Sequence, residues 1–141
     1  KKQVAVFSRK SGYHFGWDWG PRLVTSGIWQ EIKLNAWNTA TISDVYVQQQ
    51  KISKESAHLN AKIEIEATRS LTTQIYIKID ENQYLEKEIE LKKGVNKIEI
   101  PVKINNPELW WTNGLGNQKL YKIDVELKEG NKLLDSNSHK H

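Results

Sequence analysis

From residue 42 onward the chain is written in short alternating segments. Val45 and Val47 share one face of the stretch 42–52. Leu59, Ala61, Ile63, Ile65 and Ala67 then fall on one parity, with Asn60, Lys62, Glu64 and Glu66 between them. Such alternation marks a strand with one face on a core and the other in water. Ile75, Ile77 and Ile79 repeat it, and Leu85, Ile89 and Leu91 carry it on, with Lys87 interrupting the apolar parity. Ile98, Ile100, Val102 and Ile104 form a further segment; Pro101 within it predicts an edge strand or an irregular point, because proline has no N–H for a second neighbour. Leu120 opens another, continued by Tyr121, Ile123, Val125 and Leu127, and Leu133 and Leu134 begin a last strand before a polar tail. Arg69-Ser70, Asp80-Glu81-Asn82, Lys93-Gly94 and Glu129-Gly130-Asn131 are turn signals between these segments. Roughly six or seven short strands with no 3.6-residue periodicity predict an all-β fold, an immunoglobulin-like antiparallel β-sandwich.

The first residues are written differently. Val4 to Phe7 is a short apolar run that predicts a strand. Ile28, Ile32, Leu34 and Ala36 share one parity, with Trp29, Glu31, Lys33 and Asn35 on the other, and predict a strand over 28–37. Asn38 to Thr41 breaks the pattern and sets a domain boundary. The expected division is therefore 1–37 and 38–141.

Charge and composition narrow the function classes. The 141 residues carry 21 basic and 17 acidic side chains, a net charge of +4, and basic residues never run longer than a pair. Mixed signs of this kind make a solvated surface and not the basic stripe of a nucleic-acid binder. No apolar run approaches the ~20 residues of a membrane span. Neither nucleic acid nor membrane is an expected partner. Cysteine is absent, which removes thiolate chemistry and leaves the redox compartment unread. Methionine is absent too, which fits a piece cut from a longer protein.

Candidate chemistry concentrates in Tyr13-His14-Phe15-Gly16-Trp17-Asp18-Trp19-Gly20-Pro21. Glycine and proline make this a shaped loop and not a mid-sheet strand. Two indoles flanking a carboxylate suit a sugar, since the indole face stacks on C–H patches and the charged acceptor takes ring hydroxyls. The same residues also suit a packed corner, with Asp18 capping its own turn. A second aromatic loop, Leu109-Trp110-Trp111-Thr112-Asn113-Gly114-Leu115-Gly116, follows Pro107-Glu108 and allows the same two readings: a sugar contact, or a lock between strands. His14 and His58 are isolated and His139 and His141 lie in the tail, so no protein-built metal site is expected. No phosphate loop or nucleophile elbow is present. Paired carboxylates for glycoside hydrolysis must stand ~5–9 Å apart across a sugar, and no acids here form a convincing pair.

Phe15-Gly16-Trp17-Asp18-Trp19-Gly20-Pro21, followed by Thr25-Ser26-Gly27-Ile28-Trp29, resembles the end of the sugar-binding jelly-roll domain of β-mannosidases in glycoside hydrolase family 2. Pro107 to Gly116, with Gln118 and Leu120-Tyr121 after it, is similar to a loop and strand of that family's immunoglobulin-like domain; Thr112 stands where the family usually has proline. The resemblance implies that 1–37 are terminal strands of a jelly roll. It implies that 38–141 are the immunoglobulin-like domain before a catalytic (β/α)8 barrel. It implies a retaining, exo-acting β-mannosidase as the parent, with two catalytic glutamates in the barrel and no counterpart here. The fragment would then have no catalytic residue, no metal and no cofactor, and would be inactive alone. Its partners would be a mannoside or manno-oligosaccharide and the barrel of the same chain, in a bacterial periplasm or cytoplasm. Asp18 matches the family's sugar-binding aspartate, and Trp17 and Trp19 its flanking indoles. A freestanding carbohydrate-binding module and a non-sugar interaction domain are the alternatives.

Overall fold

A computed structural model describes residues 4–80 and 83–140 of the chain. It separates into two compact units, Lys1–Asn35 and Ala36–His141.

The second unit is a sandwich of seven antiparallel strands: β1 (Ala40–Ile52), β2 (Ser56–Ala67), β3 (Leu71–Ile79), β4 (Gln83–Leu91), β5 (Gly94–Asn105), β6 (Lys122–Glu129) and β7 (Lys132–Lys140). One sheet has the order β1-β2-β5 and the other β4-β3-β6-β7. The fold is the immunoglobulin-like sandwich that the alternation predicts. Ala57, Leu59, Ala61, Ile63, Ile65 and Ala67 of β2 all turn inward and are buried. Facing them from the other sheet are buried Ile75, Ile77 and Ile79 of β3 and Ile123, Val125 and Leu127 of β6. These branched side chains suit a pleated face, and their burial is the main source of the unit's stability.

Edges and turns follow the same logic. Pro101 sits in β5, an edge strand, opposite Asn60 of β2. Lys87 interrupts the apolar parity of β4, the edge of the other sheet, where a charge on the rim discourages further pairing. The crossover from β4 to β5 is tied by Asn96, whose amide accepts from the Lys92 N–H at 2.9 Å and donates to the Lys92 carbonyl at 2.8 Å. Gly94 takes φ 100° there, a region in which any Cβ is strained. Of the expected Asp80-Glu81-Asn82 turn, only Asp80 lies within the described residues; His141 lies outside them.

Two details differ from the sequence expectation in this unit. The sixth strand starts at Lys122 and not at Leu120, which is half exposed. The polar tail is not a tail: β7 continues to Lys140, paired with β6 along its length. Leu134 packs against the core, but alternation cannot reveal how far β7 runs beyond it, because that part is held by the backbone ladder and one carboxylate. Asp135 Oδ2 accepts from Thr41 Oγ1 at 2.6 Å and from the Ile42 N–H at 2.8 Å. Those donors lie on β1, the edge of the opposite sheet, so a single side chain clasps the two layers.

The first unit corrects both of its expected strands. Val4–Phe7 forms one turn of 3-10 helix, as does Gly12–Phe15. Residues 28–37 form no ladder, and Ile28, Ile32 and Leu34 are 78%, 78% and 97% exposed. Their alternation describes a face ready for a sheet, but no strand among the described residues of this unit is available to pair with it. A lone strand has neither cross-strand contacts nor a ladder to hold it.

Candidate functional site

The aromatic run is shaped by its own backbone. The 3-10 turn Gly12–Phe15 ends at Gly16, whose φ of 118° redirects the chain. His14 stacks on Tyr13 with ring centroids 4.7 Å apart, and the Arg22 guanidinium lies 5.9 Å from the centroid of Phe15. The chain then closes on itself: the Gly20 N–H donates to the Trp17 carbonyl at 3.2 Å, and the Trp17 N–H donates to the Gly20 carbonyl at 3.4 Å. This reciprocal pair is a hairpin-like closure with Asp18 and Trp19 at its tip. Trp17 is 63% exposed and Trp19 87%. The Asp18 carboxylate is exposed and takes no hydrogen bond from another described residue. A turn cap is therefore not its role here. The structure brings Trp17, Asp18 and Trp19 together on one four-residue loop, with two indoles and a free acceptor turned to solvent.

The second aromatic loop is knitted more densely. Its tip is a turn in which the Leu115 N–H donates to the Thr112 carbonyl at 3.0 Å and Gly114 adopts φ 83°, the left-handed value that a type II turn reserves for glycine. The Trp111 N–H donates to the Asn117 carbonyl at 2.8 Å, and Gln118 Nε2 donates to the Trp111 carbonyl at 2.9 Å. Asn117 Nδ2 reaches Glu108 Oε1 at 2.9 Å, and the Glu108 N–H donates to the Tyr121 hydroxyl oxygen at 2.8 Å. The Trp111 side chain lies against Gly116 so closely that a Cβ there would meet its Cδ1 at 2.7 Å.

At the base of this loop, Lys119 Nζ donates to Asp80 Oδ2 at 2.6 Å and sits 4.8 Å from the Tyr121 ring centroid. Asp80 also accepts from the Lys122 N–H at 2.8 Å. The Lys119 hydrogen bond, followed by that of the Lys122 backbone, holds the Asp80 carboxyl below the usual range. The Asp80 hydrogen bond in turn raises the Lys119 ammonium above its usual value.

Between this loop and the ends of β1, β2 and β5 lies a groove of about 540 Å³. Buried Leu59, Ile104 and Ile123 line it beside Trp110, Trp111 and Glu108. The sequence marked the tryptophans, and Asp80 only as a turn residue; its pairing with Lys119 across the β3–β4 end is invisible without the topology. Among the described residues, no group of three or more His, Asp or Glu side chains could hold a metal ion, and no helix is long and apolar enough to cross a membrane.

Residues 40–141 match the family model described as "Glycosyl hydrolases family 2", and residues 1–30 match one described as "Glycosyl hydrolase 2 galactose-binding domain-like". The chain belongs to glycosyl hydrolase family 2. Within that family, the Beta-mannosidase B of Emericella nidulans is 36% identical over 124 residues, covering 86% of this chain and 14% of that protein. The Beta-mannosidase B of Neosartorya fischeri is 33% identical over 136 residues, 94% of this chain and 16% of that protein. The crystal structure of a Beta-D-Mannosidase from Dictyoglomus thermophilum aligns over 99% of this chain and 18% of its own, with a TM-score of 0.82 and 34% identity. The chain thus spans about a seventh of the length of the curated family members it matches. Family 2 membership and the sandwich agree with the resemblance carried by the two aromatic loops.

Proposed function

We propose that this chain is a noncatalytic part of a retaining, exo-acting β-mannosidase, in which the Trp17–Gly20 loop forms part of the wall around a terminal mannoside. The observation that carries this is the loop's closure, which presents Asp18 as an unpartnered acceptor between two exposed indoles. The similarity to the Beta-mannosidase B proteins of Emericella nidulans and Neosartorya fischeri and to the Beta-D-Mannosidase of Dictyoglomus thermophilum supports the choice of sugar. In this reading residues 1–37 are terminal strands of a jelly roll that take up their ladder only beside the rest of that domain. Residues 38–141 are the scaffold that leads to a catalytic (β/α)8 barrel. Asp18 accepts hydrogen bonds from sugar hydroxyls, while Trp17 and Trp19 stack on the ring or pack beside it. The reacting carboxylates belong to the barrel, so the 141-residue chain alone does not hydrolyse mannosides.

The test is Asp18→Ala in the full-length parent enzyme. Hydrogen bonds to a charged acceptor contribute about 1.5–3 kcal/mol each. Losing two of them predicts a fall in kcat/KM on an aryl β-mannoside of roughly a hundredfold or more. Asp18→Asn keeps one acceptor oxygen and should recover part of the loss. Unchanged turnover in Asp18→Ala removes the assignment.

A further inference from the structure

We propose that the groove at the end of the sandwich is a second saccharide site, built from residues other than those of the Trp17–Gly20 loop, with Trp110 and Trp111 as its stacking surface and Glu108 as its acceptor. The groove holds about 540 Å³, within the range of small-ligand sites. Trp110 and Trp111 remain 54% and 45% exposed although they stand on a loop fixed by its own bonds. Here the backbone bonds and Gly116 fix Trp111 while much of its ring stays open. Holding a binding group rigid before the ligand arrives lowers the ordering cost of binding.

The polar edge of the groove selects the ligand class. Among the described residues nothing accepts a hydrogen bond from the indole N–H of Trp110 or Trp111. Asn117 occupies Glu108 Oε1 and leaves Oε2 open. Two free donors and a free charged acceptor beside apolar ring faces match a pyranose, which offers a C–H face and peripheral hydroxyls. A wholly apolar ligand would leave those groups desolvated and unpaired, at a cost. Lys119, the nearby cation, is hydrogen-bonded to Asp80 and also feels the Glu108 charge, so two carboxylates against one ammonium leave this edge negative. An anionic uronate is therefore disfavoured, and the ligand is a neutral sugar.

The site shares with the proposed function only the class of ligand, and its residues do not overlap. The test is a titration of the 141-residue chain with β-1,4-mannotriose, following the indole N–H resonances by NMR. Saturable shifts of the Trp110 and Trp111 signals are expected, and Trp110→Ala should weaken binding at least tenfold, about 1.4 kcal/mol. If Trp110→Ala lowers the melting temperature, Glu108→Gln supplies the second variant. It keeps the oxygen that Asn117 reaches, should leave folding intact, and should weaken binding to a similar degree. Shifts confined to Trp17 and Trp19, equal affinity in the variants, or no saturable shift with mannotriose would each overturn the proposal. Failure here leaves the Asp18 turnover result untouched, so the two readings fall separately.

Discussion

Asp135→Ala should show how much one side chain holds the two sheets together. Its Oδ2 accepts from Thr41 Oγ1 at 2.6 Å and from the Ile42 N–H at 2.8 Å. Ile42 is buried and Asp135 half-buried, so truncation leaves the amide poorly solvated. Hydrogen bonds to a charged group contribute about 1.5–3 kcal/mol, and water replaces part of that where the site is half open. The two bonds together therefore predict a loss of about 2 kcal/mol. For a domain of this size that corresponds to a fall in melting temperature of roughly 8 °C. Urea unfolding should show a lower midpoint with an unchanged slope, because the surface exposed on unfolding is the same. Asp135→Asn should lose less than Asp135→Ala, since it keeps an acceptor. In the double-mutant cycle with Thr41→Val, coupling of about 1 kcal/mol is expected for residues in direct contact. A loss below about 0.5 kcal/mol for Asp135→Ala, the range of ordinary surface substitutions, would refute the clasp.

Gly116→Ala should destabilise the second unit by about 1–3 kcal/mol, the usual range for overpacking, because its Cβ would meet Trp111 Cδ1 at 2.7 Å and Cβ at 3.0 Å. Thermal melts and Trp emission would read it, and an unchanged melt would show that the loop is slack. Acid should weaken the fold through Asp80 and Asp124, whose carboxyls are held below the usual range by hydrogen bonds from Lys119 and Lys122 respectively. Both contributions are complete above the unfolded value of about 3.9 and are lost as pH falls through the lower folded values. Lys119→Gln should flatten the dependence of stability on pH below about 4, and an unchanged slope would remove Asp80 from the account.

Sequence legibility followed the nature of the interaction. Strands β2, β3, β5 and β6 were readable because each commits one parity to the core, as Leu59 to Ala67 do most plainly. The edge position of β5 was one of the two readings that Pro101 allowed. The start of strand β7 was readable from Leu133 and Leu134, but its continuation was not, because Asp135, Ser136, Asn137 and Ser138 carry no apolar alternation and depend on a neighbour's backbone and on β1. Residues 28–37 erred the other way. Ile28, Ile32 and Leu34 carry the parity of a strand, yet a strand forms only where a ladder awaits it. The Trp17–Asp18–Trp19 grouping was legible because the three are consecutive. The groove was not, since Leu59, Ile104, Glu108 and Ile123 are drawn together only by the topology.

That contrast bears on how such a chain presents chemistry. Side chains brought together by a sheet keep their geometry only while the sheet persists. The two aromatic loops depend on short-range bonds: Trp17 with Gly20 in one, and Trp111, Thr112, Leu115 and Asn117 in the other. The first closes in a unit that has no ladder among its described residues. Its geometry is therefore encoded over four residues and does not need residues 28–37 to find a partner. What a surrounding sheet would add is aim: the direction in which the tip carrying Asp18 points. Under the proposed role of Asp18, binding energy at that tip would depend on the local closure, and selectivity for a sugar on what stands across from it. On this argument a change to the closure, such as one at Gly20, should weaken binding of every sugar alike. In the proposed parent enzyme, a change that displaces residues 28–37 should alter the ratio of kcat/KM values between aryl glycosides of different sugars, and an unaltered ratio would refute this division of roles.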